Sequence, residues 1–440
     1  MSTELVRFTQ WAREKPQRQY NALMGMLIDP PGLNASFERQ AGSKAPGIDG
    51  MRKAEYAVGL PERLADLSAR LRRFGYRPKP VRRVYIPKAN GRRALGVPSF
   101  EDRLVQDRLS GILQAIWEPE FRECSYGFRP QRSAHQALKR LAEVITLDRT
   151  QWIVEADIKG FFDHVSHYHL QRFLAHRIAD PRFLRIIERF LRAGVMEDGV
   201  MSASDQGTPQ GGLVSPVLAN IYLHYTLDLW FEKRYVKSCR GKAHLVRFAD
   251  DFVACFQWED DAKRFLSELK DRLAAFDLEA EPTKTRILRF GDLAQAQCKR
   301  EGLRRPETFN FLGLTHFVTR SRRGRFVVGR KTQRERPRKK LKELGVRLDI
   351  LRTHGGRAMM EYVQQHLRGH FQYFGVSGNS RSLRQYLYAS RRLLFKWLNR
   401  RSQRRSVKWD HLDGVLPRPR IIHNLYPDLL RKPSTGSRMV

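Results

Sequence analysis

VRFADDFVACF, residues 246–256, sets two adjacent aspartates, Asp250 and Asp251, between two short apolar runs. The pattern predicts a strand over His244 to Phe248, a tight turn carrying both acids, and a second strand over Phe252 to Phe256. Aspartate is a good turn former, and taken alone such a pair is most often only a turn. The stretch WIVEADIKGFFD, residues 152–163, changes that weighting. Its β-rich run ends at Asp157, and a strand end lying beside the hairpin brings a third carboxylate close. Three carboxylates at one point repel one another unless divalent cations sit between them. Magnesium is the expected occupant, because it takes oxygen ligands and is commonly held by a few carboxylates together with substrate phosphates. Two such ions roughly 3.5–4 Å apart would serve phosphoryl transfer.

The surrounding composition fits that chemistry. The chain has 440 residues, 82 Lys plus Arg against 46 Asp plus Glu, a formal charge of +36 and 41% hydrophobic residues. Its length allows two or three domains, and the charge excess has not come at the expense of a core. So basic a surface calls for a polyanion, and nucleic acid is the leading partner. No strongly amphipathic basic helix stands apart from the rest of the fold and no stretch approaches the roughly 18 apolar residues of a membrane span, so no membrane partner is expected. Cys124, Cys239, Cys255 and Cys298 form no CxxC pair, which argues against a disulfide framework or structural zinc. The expectation is a soluble protein in a reducing compartment: cytoplasmic, and associated with ribonucleoprotein or nucleoid.

Along the chain, residues 1 to about 45 alternate helical pieces with breakers such as DPPG (29–32), followed by the Gly/Pro-rich turn region GSKAPGIDG. ERLADLSARLRRFGY (62–76) has helical spacing, and PKPVRRVYIPKANGRRALGVP reads as a hairpin with its turn at Ala89 to Gly91. Strands and helices alternate to about residue 320. From 321 a run dense in Arg and Lys leads into two helical patterns, 359–375 and 382–401, whose apolar residues suit a separate basic helical domain. The last residues, KPSTGSRMV, read as disordered.

Several blocks together identify a family likeness. DIKGFFD (157–163), SYGFRPQRSAHQAL (125–138), GTPQGGLVSPVLANIYL (207–223), VRFADDFVACF and NFLGL (310–314) resemble, in order and spacing, the blocks of group II intron reverse transcriptases. GIDG (47–50) and VYIPKANG (84–91) resemble the blocks upstream, and the likeness runs from about residue 20 to 430. It implies an α+β right-hand polymerase: fingers and palm (antiparallel sheet plus helices) over 1–320, a helical thumb/maturase domain over 321–405, and a short basic DNA-binding tail over 406–440.

The same likeness implies roles for particular residues. Asp157, Asp250 and Asp251 would hold two magnesium ions, with the Ile158 carbonyl as a backbone ligand. Phe162 would be the aromatic gate that excludes a 2′-hydroxyl, with Phe161 in the core if strand-like alternation sends the pair to opposite sides. Gln210 and Gly211 would lie at the nucleotide, glycine allowing close backbone approach. Lys88, with Arg92 or Arg93, would clamp the triphosphate; GRRALG is one residue shorter than the usual spacing, and Arg93 is the favoured contact. Lys284 is the candidate general acid for leaving pyrophosphate, an exposed turn lysine being the plain alternative. Phe248 stands where tyrosine is commoner.

Other residues carry weaker expectations. Ser133 reads as a helix N-cap, and Arg129 and Arg132 are open between template contact and structure. His164, His167 and His169 are expected to be solvated histidines rather than a metal cluster. LRGHFQYFG, RRSQRRSVKWDHL and LPRPRIIH resemble the thumb and maturase region, where basic residues interleaved with aromatics suit structured RNA. No cysteine-rich endonuclease module follows, so second-strand cutting is not expected.

The function implied is RNA-directed DNA synthesis from deoxynucleoside triphosphates on an RNA template with a DNA primer or target, with maturase binding of structured intron RNA for splicing and retrohoming. The rivals are a non-catalytic RNA-binding maturase and a domesticated relative in DNA repair or defence. The intact Asp157, Asp250 and Asp251 speak against the first.

Overall fold

The computed structural model describes residues 3–88, 91–197, 200–202, 206–208, 211–400 and 407–426. Residues 89 and 90 of the expected turn, Gln210, and residues 406 and 427–440 of the expected tail, with its KPSTGSRMV end, lie outside the described residues. The strands are β1 (Val81–Lys88), β2 (Gly91–Val97), β3 (Trp152–Ala156), β4 (Val195–Glu197), β5 (Val200–Ser202), β6 (Ala243–Phe248), β7 (Asp251–Phe256), β8 (Arg286–Arg289), β9 (Phe309–Phe311), β10 (Leu314–Arg320) and β11 (Phe326–Thr332). They form three sheets, ordered β2-β1-β4-β5, β6-β7-β3-β8 and β11-β10-β9. The second is wholly antiparallel, as the hairpin reading required, and the architecture is α+β.

That central sheet is buried on both faces, which explains why FVACF is apolar throughout. Successive residues of a strand point to opposite faces. Phe252, Ala254 and Phe256 of β7 enter one hydrophobic core, with the N-terminal helices and the helix Glu259–Ala274. Val253 and Cys255 enter a second core, with the helix Ala134–Leu147 and the C-terminal helices. On β3, Val154 and Ala156 belong to the first core and Ile153 to the second. Any one-residue register slip would exchange the two sets, so the sheet position of Asp157 and Asp251 is strongly specified.

Several local expectations need correction. DPPG opens a helix, Pro30–Arg39, rather than merely breaking one: the Asp29 side chain accepts from the Gly32 N–H at 2.8 Å and proline occupies the first turn. The basic run after 321 is not continuously helical. Residues 326–332 are β11, paired with β10 from Leu314↔Thr332 to Arg320↔Phe326. Its Val327 and Val328 are buried, and β-branched residues facing a core outweigh the surrounding charge. The 320/321 boundary therefore falls in a hairpin turn. Beyond it, the helices Glu335–Leu351, Gly356–Phe374 and Ser380–Asn399 pack through Leu344, Leu348, Val363, Leu367, Leu383 and Leu394. Ser133 is the N-cap of the helix Ala134–Leu147, with Gln136 completing a capping box.

Candidate active site

Asp157 and the Asp250–Asp251 pair come together because β3 lies directly beside β7, with Ala156 opposite Phe252. Phe248 pairs with Asp251, so the turn proper is Ala249–Asp250 and Asp251 is the first strand residue. Ala249 has φ +58, the sign that a type II′ turn needs at its first position. Asp157 follows the last residue of β3. Its carbonyl accepts from the Glu281 N–H at 2.8 Å, while the Lys159 N–H donates to Glu279 at 2.9 Å. These two bonds form the bridge of Ile158 to Ala280 and do not use the Ile158 carbonyl.

The three carboxylates share one electrostatic neighbourhood. Burial, then the charges of Asp157 and Asp250, raise the Asp251 carboxyl to about 7. Among the described residues no three His, Cys, Asp or Glu side chains converge as a ready-made metal cage. The Lys284 ammonium is ion-paired to the Asp157 carboxylate. That hydrogen bond raises the Lys284 pKa. An oxygen-rich, mutually repelling donor set held partly neutral by a proton and a lysine fits a hard divalent cation.

Beneath the hairpin lies a charge pair that the sequence reading missed. Arg247 and Asp228 are both fully buried. The Arg247 guanidinium donates to Asp228 Oδ1 at 2.8 Å, Asn220 Oδ1 at 3.1 Å, Ser125 Oγ at 2.8 Å and the Ala249 carbonyl at 2.9 Å. The last bond holds the turn that carries Asp250. Thus SYGFRP, SPVLANIYL and VRFADD, which are far apart in sequence, meet at one guanidinium. Asp228 lies in a π-helical stretch, His224–Asp228, that continues the helix Ser215–Leu223. The only sequence signal was an arginine inside an apolar strand run.

NFLGL forms the β9–β10 turn, with Leu312 at φ +49 and Gly313 at φ +79, the two positive values of a type I′ turn. The Leu312 backbone hydrogen-bonds Asp251 and moderates its raised pKa. Tyr373, on the helix Gly356–Phe374, donates its hydroxyl to the Leu312 carbonyl at 3.1 Å. A C-terminal helix thereby braces the carboxylate site, a link with no sequence signal.

The remaining candidates separate. Phe161 and Phe162 belong to a short helix, Phe161–His164, not to an alternating strand. Phe161 is buried, and the half-buried Phe162 meets it edge-on at 5.3 Å. The Thr208 N–H donates to the Phe162 carbonyl at 2.7 Å, so the glycine-rich loop rests on the Phe162 segment. Its glycines are needed for contact with the protein's own backbone. A Cβ on Gly207 (φ +85) would stand 2.8 Å from the Asp163 carbonyl oxygen, and one on Gly211 (φ +114) would collide with the Gly96 carbonyl of β2. Gln210 lies outside the described residues, as do the side chains of Lys88 and Arg93. Lys88 pairs with Gly91 and Ile86 with Arg93, which puts positions 88 and 93 on one face of the hairpin and 92 on the other.

Arg129 is buried against Glu118, at 2.8 Å, and donates to the Arg122 and Ser125 carbonyls, a structural role. Arg132 pairs with Glu123. The histidines are not uniformly solvated: His164 is exposed, but His167 is buried with Nε2 2.7 Å from the Gly207 carbonyl oxygen, and His169 packs between Phe173 and Phe276. All four cysteines are free. No helix among the described residues is long and apolar enough to cross a membrane.

Residues 86–316 match the reverse transcriptase (RNA-dependent DNA polymerase) family. Protein YkfC of Escherichia coli is 36% identical over 245 residues, covering 54% of this chain and 63% of the relative. Group II intron-encoded protein LtrA of Lactococcus lactis is 36% identical over 222 residues, 50% of this chain and 37% of the relative. Nuclear intron maturase 1, mitochondrial, of Arabidopsis thaliana is 30% identical over 95 residues, 22% of this chain and 13% of the relative. The chain thus covers less than two thirds of the length of each of these relatives.

Proposed function

The chain belongs to the reverse transcriptase (RNA-dependent DNA polymerase) family, and from that premise we propose that it extends a DNA primer with deoxynucleotides on an RNA template and, as a maturase, binds structured intron RNA. The observation that carries the reading is the meeting of Asp157, Asp250 and Asp251 at the edge of β3 and β7, close enough that two of them raise the pKa of the third. In this reading residues 1–320 serve as fingers and palm, 321–405 as thumb and maturase, and 406–440 as a DNA-binding tail. The setting is intracellular, in a ribonucleoprotein or at the nucleoid.

Asp157, Asp250, Asp251 and the Ile158 carbonyl would hold magnesium, two ions in all. Magnesium bound there would supply Lewis-acid stabilisation to the attacking and leaving oxygens. The protein's own groups orient the substrates. Lys88 and Arg93 hold the triphosphate from the fingers hairpin, and Phe162 excludes the ribose 2′-hydroxyl. Gln210 and Gly211 line the nucleotide position. Lys284 stays protonated beside Asp157 and, released from it, gives its proton to the leaving pyrophosphate.

Primer extension on an RNA template with deoxynucleotides and magnesium, wild type beside Asp250→Asn, tests the proposal. Extension by the wild type alone is expected. Failure of both proteins to extend while both bind RNA tightly would favour the non-catalytic maturase instead.

A further inference from the structure

A second cluster of chemistry lies away from the carboxylates, in a cavity of about 840 Å³ between the 295–308 segment, the β10–β11 hairpin and the start of the helix Ser380–Asn399. Lys299, Arg304, Arg305, Arg330, Lys331 and Arg381 line it, and among the described residues no acidic one does. Five of the six are exposed, as a solvated basic surface would be. Arg330 is different, being 1% exposed. Burial pushes its guanidinium down to about 10, and no carboxylate offsets that cost.

The unused donors of Arg330 have a definite geometry. Nη1 reaches the Ser377 carbonyl at 3.5 Å. Among the described residues Nε and Nη2 have no hydrogen-bond partner, and these two N–H groups form the parallel fork with which arginine grips a phosphate or carboxylate. The cross-strand neighbour of Arg330 is His316, also buried, with the Leu314 backbone beside its ring. It stacks on Phe309 and offers Arg330 no counter-charge. Tyr426 covers the guanidinium at 5.9 Å. A buried fork without an acid, beside a cavity whose other charges are all positive, is a place where an anion would offset the cost of burial, because confined cations of one sign concentrate their field in the cavity.

We propose that this cavity is a phosphate-binding site, with Arg330 as the bidentate ligand and Lys299, Arg304, Arg305, Lys331 and Arg381 as its electrostatic funnel, and that it takes a backbone phosphate of bound nucleic acid. The site is separate from the carboxylates, so it can stand or fall without the polymerase reading.

The test uses the full chain and reads binding, not extension. Thermal unfolding is followed in inorganic phosphate and in sodium chloride of matched ionic strength. Phosphate is expected to raise the wild-type midpoint, to leave Arg330→Met unmoved, and to act weakly on Arg330→Lys, which keeps the charge but loses the fork. In chloride alone Arg330→Met should be no less stable than wild type, since it removes an uncompensated buried charge. An equal phosphate response in wild type and Arg330→Met, or none in either, would overturn the site. Should Arg330→Met fail to fold, Arg381→Gln at the exposed rim carries the test. A reduced phosphate shift supports the site and an unchanged one overturns it.

A parallel titration with an RNA–DNA duplex distinguishes the sources of phosphate. A loss of affinity of about tenfold, with the log–log salt slope smaller by about one, assigns the site to a nucleic-acid backbone. Unchanged duplex affinity with an intact phosphate response assigns the same site to a free phosphate compound.

Discussion

At pH 8 the folded protein holds Asp251 ionised beside Asp157 and Asp250, a state its burial opposes. The Asp251 carboxyl titrates at 3.8 in the ordinary case and at about 7 here. A pKa raised by folding means the native state binds the proton more tightly, so this group's contribution is greatest below pH 3.8, declines as pH rises, and is lost above 7. Asp251→Asn should therefore stabilise the metal-free protein at pH 8 by on the order of 2 kcal/mol more than at pH 5. Magnesium should raise the wild-type midpoint at pH 8 and move the variant less, with EDTA reversing the effect. Melting curves at the two pH values decide this, and equal gains at both would remove the charge-repulsion account. For Phe162, truncation to alanine should admit ribonucleotides, read as the ratio of ribo- to deoxynucleotide incorporation; unchanged selectivity would reassign the gate. The aspartates were legible from sequence because a second acidic strand end, Asp157, joined the acidic turn, and the motif resemblance singled out the same three residues. The pairing of Lys284 with Asp157 was not, because 127 residues separate them.

The hairpin of β6 and β7 depends on what lies underneath it. Truncating Arg247 leaves the Asp228 carboxylate buried without a partner, and Arg247→Ala should cost about 3–5 kcal/mol. The paired change Arg247→Met with Asp228→Leu should recover most of that stability, because well-packed apolar groups avoid the desolvation penalty. Its extension rate should remain low, since the Ala249 carbonyl loses its donor and the Asp250 turn its anchor. Chemical denaturation beside primer extension separates the two effects; full extension by the recovered double variant would reduce Arg247 to a purely structural part. Hairpin spacing, alternation and caps made β6, β7 and the Ser133 helix start readable. The strand at 326–332 and the short helix at Phe161–His164 were misread because local charge and local alternation were outweighed by packing partners elsewhere in the chain.

The whole molecule carries a charge of +36, and three of its carboxylates meet at one edge of the central sheet. Binding of structured RNA should weaken at least about 100-fold between 50 and 200 mM salt if several phosphates are neutralised. Asp250→Asn should leave that affinity and its salt slope nearly unchanged, because the carboxylate site and the basic surface are separate. Filter binding over a salt series checks both statements, and a shallow slope would argue against an extensive phosphate interface. The two hydrophobic cores on either face of the central sheet connect the N-terminal helices to one side and the C-terminal helices to the other. Through Tyr373 and Leu312 the C-terminal side reaches Asp251 itself.

By itself the sequence determined the hairpin with its acidic turn, the strongly basic composition and the order of the motif blocks, whose resemblance implied the α+β class. These are written in local periodicity, in turn chemistry and in composition, which need no knowledge of distant neighbours. The tertiary structure alone decided that Arg247 joins three of those blocks, that the loop glycines serve contact with Asp163 and Gly96, and that Arg129 is internal. It also decided that Arg330 is buried with Nε and Nη2 unpaired among the described residues. Each of these depends on which side chain is removed from water and what then satisfies its charge or hydrogen bonds, and only the closed fold brings those groups together.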